Sequence, residues 1–383
     1  MAEAGSKVAS MILSAVERCP LLVYPSSSMC LLLVGYLSFL IIAELVLPGK
    51  RILGVILPDN TRIVYRCTGF SSTILLLALL GIGAKFLGLP LTVLAKNCGQ
   101  LFTTTLCLCI LVSWWLLASG YTSKSKTSSL KPHVTGSILH DWWFGVQLNP
   151  QLLGLDFKFF WIRAGMMGWL LINLSIAAQQ IQLHGNLSLS MLLYQSFVAI
   201  YVLDYFWFEE YMTSTWDIIA EKFGFMLVFG DLVWIPFTFS IQGWWLLKHT
   251  VDLTVFAAIL NIIVFIFGYT IFRGSNRQKH LFKKDPKALI WGQPAKTIGG
   301  KLLVSGYWGI ARHCNYLGDL LLALSFSLPC GTISMVPYFY PIYLLVLLIW
   351  RERRDEAKCK EKYKGVWMEY CKVVHWRIFP GIY

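Results

Sequence analysis

Charged residues are scarce in this 383-residue chain, where Asp, Glu, Lys and Arg together make up only 14% of the sequence. Hydrophobic residues make up 56% and aromatic residues 15%. A soluble globular domain usually carries about 25% charged residues. The shortage of charge argues against a soluble domain and predicts a protein embedded in a bilayer, with rings at headgroup level or lining lipid-like pockets.

Several motifs that hold nucleotides or metals are also missing. The sequence has no GxGxxG fingerprint, no Walker A loop and no HExxH pair, so any dinucleotide must be held without a Rossmann unit. The ten cysteines form no CxxC pair, and neither a zinc site nor a disulfide framework is indicated. Residues 1–28 lack the features of a secretory leader, and we expect no cleaved signal peptide.

Acidic residues are few as well, 20 against 33 Lys and Arg, which gives a formal net charge of +13. A nucleic-acid partner would need a separate polar domain, and none is evident, so we expect no nucleic acid to bind. In a membrane protein, a basic excess more often indicates cytosolic loops and phosphate-bearing ligands. Membrane lipids and a ligand that carries phosphate are the expected partners.

Long apolar runs are abundant. A helix needs roughly 20 apolar residues to cross the hydrocarbon of a bilayer, and runs of about this length occupy 29–47, 70–91, 101–119, 159–178, 190–208, 223–241 and 253–272. Two shorter runs, 317–330 and 335–350, flank a Gly-Thr-Ile-Ser turn and predict a helical hairpin. The predicted fold class is all-α, a polytopic transmembrane bundle of about nine or ten spans.

Lys and Arg predict the orientation of these spans. Stretch 273–312 has nine basic residues against the single acid Asp285, and the segment after Trp350 is also basic. Cytosolic loops carry such an excess, and the hairpin returns both segments to one side. Loops 48–69 and 120–158 fall on that side too.

A helix that leaves the membrane carries the first candidate site. Arg351, Asp355 and Cys359 are spaced i, i+4, i+8, and Lys362 and Tyr363 continue near that stripe. Its cations can bind phosphates, and its carboxylate can accept hydrogen bonds from ribose hydroxyls. An ordinary charge-paired helix at the membrane surface would look the same, so that alternative stays open.

The segment 301–319 is the second candidate. Its glycines let the backbone approach a ligand, and Trp308 and Tyr316 could stack on a planar ring beside Arg312 and Asn315. An aromatic belt at the membrane interface is the alternative. The hairpin brings this segment near the first candidate, which favours a ligand site.

A third candidate is a group of polar residues around the spans at 190–208 and 223–241. Carboxylates at membrane depth are costly unless they face a cavity or a partner. Hydrogen bonds that hold helices together are the alternative function. The group comprises Tyr201, Asp204, Glu209, Glu210, Asp217 and Asp231.

Two strings then point to a known family. Residues 136–150, GSILHDWWFGVQLNP, and the run 351–363 resemble the two signatures of the sterol reductase family, which includes delta(14), delta(7) and delta(24(28)) sterol reductases and the lamin B receptor. String 224–237 looks like the delta(14) and lamin B receptor version, and the chain as a whole looks most like the plant delta(14) members. The chain departs from the family pattern at three positions. It has Gln151 where family members often have Arg, Trp350 where His is common, and Lys364 where Gly is common.

The resemblance implies NADPH as cofactor and a fold of ten helices. The tenth would lie at 7–24 or 138–155. The apolar runs leave an N-terminal segment 1–28 ahead of the first span. The resemblance implies a sterol-binding transmembrane region 29–272 and an NADPH-binding C-terminal region 273–383. The matching cofactor positions, with Arg312 added from the same motif, are Lys279, Lys283, Leu303, Trp308, Arg312, Asn315, Tyr316, Arg351, Asp355, Cys359, Lys360, Glu361, Lys362, Tyr363 and Tyr370.

The implied reaction is NADPH-dependent reduction of the C14–C15 double bond of sterol 8,14-dienes. We assign the proton path to Tyr201 with support from Glu209, and place Asp355 near the cofactor. The sterol should enter from the bilayer. We expect a multi-pass protein of the endoplasmic reticulum membrane, with the nuclear envelope as a second location. The oligomeric state is left open.

Three other classes of function stay open at this point. Isoprenylcysteine-type membrane methyltransferases share the Arg-His-x-x-Tyr-x-Gly spacing seen from Arg312 to Gly318. A non-catalytic sterol-binding scaffold of the nuclear envelope, and a transporter that uses the intramembrane acids, are the other two. The strings at 141–150 and 224–236 favour the reductase over the methyltransferase.

Overall fold

The computed structural model describes residues 23–56, 62–122, 132–152 and 154–383. The proposed extra span at 7–24 and most of the expected segment 1–28 lie outside them. Within the described residues the chain is mainly helical, which confirms the fold class. The helices are α1 (Ser27–Val46), α2 (Gly69–Phe86), α3 (Val93–Lys96), α4 (Cys98–Thr122), α5 (Ile138–Phe144), α6 (Phe157–His184), α7 (Leu189–Trp207), α8 (Trp216–Ile219), α9 (Phe225–Phe229), α10 (Ile241–Lys248), α11 (Val255–Lys284), α12 (Cys314–Ser327), α13 (Phe339–Tyr363) and α14 (Gly365–Val373).

Seven helical segments in the described parts of the chain are long and apolar enough to cross a membrane: α1, α2, α4, α6, α7, Phe225–Lys248 and α11. They coincide with the seven long apolar runs, so the protein is a multi-pass membrane protein. The predicted hairpin is present, formed by α12 and α13. A span at 138–155 is wrong, because α5 has only seven residues and a short strand pair follows it.

The long helices begin where the sequence offers a capping side chain. Ser26 Oγ accepts from Met29 N at 3.4 Å before α1, and Asp156 Oδ1 accepts from Phe159 N at 2.9 Å before α6. Thr254 does the same before α11. These bonds satisfy backbone N–H groups that the first helical turn leaves open.

Short antiparallel hairpins join the helices and were not predicted. β1 (Lys50–Ile56) pairs with β2 (Arg62–Cys67) in the first of them. Ile63 and Tyr65 are buried while Val64 is exposed, an alternation that the sequence does not show because all three residues are apolar. The remaining pairs are β3 (Gln151–Leu152) with β4 (Leu155–Asp156), β5 (Leu289–Ile290) with β6 (Gln293–Pro294), and β7 (Thr297–Ile298) with β8 (Leu302–Leu303).

The chain divides into two compact units. The first contains the described residues of Met1–Leu187 together with Val198–Ser240. Helix α6 lies at its centre, and 83% of the most apolar stretch of this helix is buried. It packs against the π-helix Gly230–Thr238 at Gly165, where a Cβ would lie 2.1 Å from Asp231 O. Only glycine permits this approach.

The second unit contains Ser188–Phe197 and Ile241–Tyr383. Helices α11 and α12 cross closely within it, because a Cβ on Gly318 would lie 2.4 Å from Phe272 N and 2.9 Å from Gly268 O. Small residues at such crossings are typical of membrane helices, whose association depends on close packing.

Candidate functional site

The end of α13 presents one half-buried face in the second unit. Arg351, Asp355 and Cys359 are partly buried there, as the i, i+4, i+8 spacing predicts. Lys360 and Glu361 are exposed on other faces. The structure therefore places Arg351, Asp355 and Cys359 on one face, while Lys360 and Glu361 lie away from it.

Hydrogen bonds and ring stacking join this stripe to α12. Tyr316 Oη donates to Asp355 Oδ2 at 3.1 Å, and the His313 ring stacks on Tyr316 at 4.8 Å between centroids. Asn315 Oδ1, on the same turn, is buried and has no hydrogen-bond partner among the described residues. An unsatisfied buried acceptor is uncommon and is available to a ligand.

Helix α11 supplies the cations next to this face. Lys279 Nζ lies 4.9 Å from the centre of the Trp308 ring, and Trp308 Nε1 donates to Ser275 O at 2.9 Å. Lys283 follows one turn later and is exposed. Lys279 interacts electrostatically with Lys283, Arg351 and Asp355, so α11 and α13 contribute to one charged site.

His313 is partly buried among positively charged side chains. Burial, followed by the charges of Lys279, Arg312, Arg351 and Arg377, lowers its pKa to about 3. The imidazole is therefore neutral at neutral pH, and the surrounding potential favours anions. Sequence reasoning missed His313, although its spacing to Tyr316 was visible.

The Arg312 side chain is buried and contacts residues of α13 and of the C-terminal segment. It is 8% exposed. Nη1 lies 3.2 Å from Glu356 Oε1 and 3.0 Å from Cys371 Sγ, and Nη2 donates to His375 O at 3.1 Å. This favours a role in holding the C-terminal segment rather than direct contact with a phosphate.

A second network at the C terminus was also missed. Arg377 lies 3.4 Å from Glu352 and 3.1 Å from Glu356, and Tyr383 Oη donates to Glu352 Oε2 at 3.0 Å. Burial raises the pKa of Glu352. The network anchors the last residues beside α13.

The remaining predicted cofactor residues belong to apolar clusters or to the surface. Leu303 packs with Phe282, Ile290 and Trp308. Tyr370 lies in a cluster with Trp367 and Val374, which Cys359 and Tyr363 border. Lys362 is exposed, with Nζ 5.2 Å from the centre of the Tyr363 ring. Cations, aromatic rings and an open acceptor on one face fit a phosphate-bearing ligand.

The two predicted residues of the proton path lie in the first unit. Tyr201 packs edge-on against Trp169 at 5.8 Å between centroids. Glu209 is 1% exposed; its Oε1 lies 2.7 Å from Arg163 Nε, and its Oε2 accepts from Gly69 N at 2.9 Å. Glu209 is thus an ion-pair partner at the end of α7.

The other acids of that group divide between loop and membrane. Glu210 pairs with Lys50, and Asp217 lies in the short helix α8. Both fall outside the candidate spans, as does Glu209. Asp231 lies in the π-helix, and its buried Oδ2 has no partner in the described part of the chain.

The aromatic string at 140–150 forms supporting structure. Asp141 is fully buried and accepts from Tyr121 Oη at 2.8 Å and Thr135 Oγ1 at 2.7 Å. The Trp142 ring stacks on Phe225 at 4.4 Å between centroids. These contacts tie α5 to α4 and α9.

Fold and site define a class: a multi-pass α-helical membrane protein with a positively charged, aromatic-lined site beside a helical hairpin. The chain belongs to the Ergosterol biosynthesis ERG4/ERG24 family, whose model matches residues 8–383. The resemblance to sterol reductases is confirmed.

Curated relatives agree with this assignment. The chain is 62% identical over 359 residues to Delta(14)-sterol reductase of Arabidopsis thaliana, covering 94% of this chain and 97% of the relative. It is 45% identical to Delta(14)-sterol reductase of Methylotuvimicrobium alcaliphilum, covering 88% and 79%. Identity to Delta(14)-sterol reductase TM7SF2 of Mus musculus is 42%, covering 89% and 82%.

Proposed function

We propose that this protein is a delta(14)-sterol reductase of sterol biosynthesis, which reduces the C14–C15 double bond of 8,14-diene sterols with NADPH. The observation that carries the proposal is the similarity to the Arabidopsis relative of that name along nearly the whole of both chains. The positive, half-buried face of the second unit supports an anionic dinucleotide.

Residues of that face would hold NADPH. Lys279, Lys283 and Arg351 supply positive charge for its phosphates, and Asp355 accepts hydrogen bonds from ribose hydroxyls. Asn315 Oδ1, which is buried without a partner among the described residues, would accept a hydrogen bond from the cofactor. Arg312 positions the C-terminal segment around them. NADPH, when bound, supplies the hydride.

The protein itself must deliver a proton and exclude water. A ring double bond without an electron-withdrawing group accepts hydride poorly, so protonation at C15 comes first and leaves a cation at C14 that the neighbouring double bond delocalises. We assign delivery of this proton to Tyr201, with Glu209 in support. A phenol has a pKa near 10 in water, so it needs a group that returns its proton after each turnover.

The substrate suggests where the protein acts. A ring system that is insoluble in water has no reason to cross the cytosol, and the sterol enters from the bilayer. We propose residence in the endoplasmic reticulum membrane. We propose the nuclear envelope as a second location; the chain is 38% identical to Delta(14)-sterol reductase LBR of Gallus gallus over 85% of this chain and 52% of the relative.

Oxidation of NADPH, followed by absorbance, tests the proposal with an 8,14-diene sterol as substrate. We expect oxidation that depends on the sterol, and a product that mass spectrometry shows to have gained one hydride and one proton. Binding of S-adenosylmethionine without binding of NADPH would overturn the proposal in favour of the methyltransferase.

A further inference from the structure

A polar cavity of about 250 Å³ lies in the first unit, beside the β1–β2 hairpin. Its lining includes Glu44, Arg51, Tyr65, Arg66 and Asp156. Arg51 is exposed, so the cavity reaches the protein surface. Roughly 10–15 Å³ of such space holds one water, given polar partners. The cavity therefore has room for a connected group of waters.

Glu44 links this cavity to a buried charge cluster. Arg163 is 1% exposed, forms an ion pair with Glu44, and lies 2.7 Å from Glu209. Its Nη2 also donates to Arg66 O at 2.9 Å. We call Glu44, Arg163 and Glu209 the buried triad. Two carboxylates on one guanidinium give a formal charge of −1, so the triad can take up one proton and become neutral.

Tyr205 lies next to the triad with an unused hydroxyl. Its Oη is buried and has no hydrogen-bond partner among the residues that the structure describes. Arg163, Glu209, Asp231 and Cys67 are the charged or titratable groups that act on it electrostatically. A buried hydroxyl without a partner is unfavourable, so this hydroxyl adds nothing to the stability of the packing and is available for proton transfer.

The spacing on α7 connects Tyr205 to the proposed proton donor. Tyr201 and Tyr205 are one turn apart, about 6 Å of helix rise, and lie on the same face. Where two hydroxyls on one helix face are too far apart for a direct hydrogen bond, a water can bridge them. Cavity, buried triad, Tyr205 and Tyr201 thus follow one another from the hairpin into the span.

We propose that this series is the route by which protons from water reach Tyr201. The inference rests on the proposed function. In each turnover the Tyr201 O–H bond breaks as the C15–H bond of the sterol forms. The resulting phenolate takes a proton from Tyr205, directly or through water, and Tyr205 regains one from the cavity waters through the triad. One proton from water and one hydride from NADPH are consumed for each sterol.

Tyr205→Phe is the clean test, because it removes a hydroxyl that makes no hydrogen bond in the described structure. We expect kcat to fall by about 100-fold, as when a proton-transfer group is lost. The solvent deuterium isotope effect on kcat should rise, while KM for NADPH stays unchanged and Tm stays the same or rises, because a buried hydroxyl without a partner is lost. Glu44→Gln, which keeps the shape of the side chain, should change kcat and the isotope effect in the same directions.

Tyr36→Phe is the matched control, because Tyr36 Oη donates to Ala164 O at 2.6 Å. It should lower Tm and leave kcat and the isotope effect unchanged. Wild-type kcat in Tyr205→Phe, or a fall in kcat that accompanies a fall in Tm without any change in isotope effect, would overturn the route. Failure of the wild-type protein to reduce the sterol would instead overturn the proposed function.

Discussion

At the scale of single residues, Lys364 has the least favourable backbone. It joins α13 to α14 with φ +49° and ψ −122°, a conformation suited to glycine. Lys364→Gly should relieve strain of about 1–3 kcal/mol, offset by about 1 kcal/mol from a more flexible unfolded chain. We expect a higher Tm in thermal unfolding. Lys358→Gly, within α13, should lower it, and a lower Tm for Lys364→Gly would contradict the account.

His313 should make the protein sensitive to acid. Its folded-state pKa of about 3 lies below the ordinary value of 6.5, so the unfolded chain binds the extra proton between these values. The contribution to stability is complete above about pH 6.5 and is lost as the pH falls toward 3. Tm should therefore fall less between about pH 7.5 and pH 5 in His313→Gln than in wild type. The exposed His133→Gln serves as control, and equal slopes in all three proteins would refute the assignment.

Lys283 should act on the cofactor alone. Lys283→Ala removes a charge from the positive face, and we expect KM for NADPH to rise about tenfold, equivalent to 1.4 kcal/mol. KM for the sterol should stay near the wild-type value. Lys284→Ala, the next residue of α11, is the matched control. Equal losses for cofactor and sterol in Lys283→Ala would argue against a phosphate contact.

At the scale of elements, the crossing of α11 and α12 depends on Gly318. Gly318→Ala would place a Cβ against the backbone of Phe272 and Gly268, and the helices would have to separate. Overpacking of this kind costs about 1–3 kcal/mol, and we expect a lower Tm. Gly81→Ala in α2, where the added Cβ meets nothing within 4 Å, should raise Tm slightly, because alanine is the better helix former. Equal Tm values for both variants would contradict the account, because they would show that the crossing of α11 and α12 accommodates the added Cβ.

The elements that sequence predicted well are those fixed by local spacing. Twenty-residue apolar runs became α1, α2 and α4, and the i, i+4 pattern placed Arg351 and Asp355 on one face. The π-helix Gly230–Thr238 and the β1–β2 hairpin were not predicted. The π-helix packs against a distant residue, Gly165, which no local period records. The hairpin lacks an alternating pattern, because Ile63, Val64 and Tyr65 are all apolar.

At the scale of the whole molecule, the sequence does not predict ion pairs between residues that are far apart along the chain. Arg163 pairs with Glu44 and Glu209, which are 119 and 46 positions away along the chain. From the sequence, Glu209 was a candidate for a functional carboxylate at membrane depth. Only the fold shows that it pairs with the buried guanidinium of Arg163. The proximity of Tyr316 and Asp355 could be predicted, because the helical hairpin between them returns both residues to the same side of the membrane.

The central claim is that the protein adds hydride from NADPH to C14 and a proton from water to C15. Mass spectrometry and NMR of the product measure this directly when deuterium is supplied either on the nicotinamide of NADPH or in the solvent. The account predicts deuterium at C14 from labelled NADPH and at C15 from deuterated water. An unreduced 8,14-diene, or deuterium at the reversed positions, would contradict it.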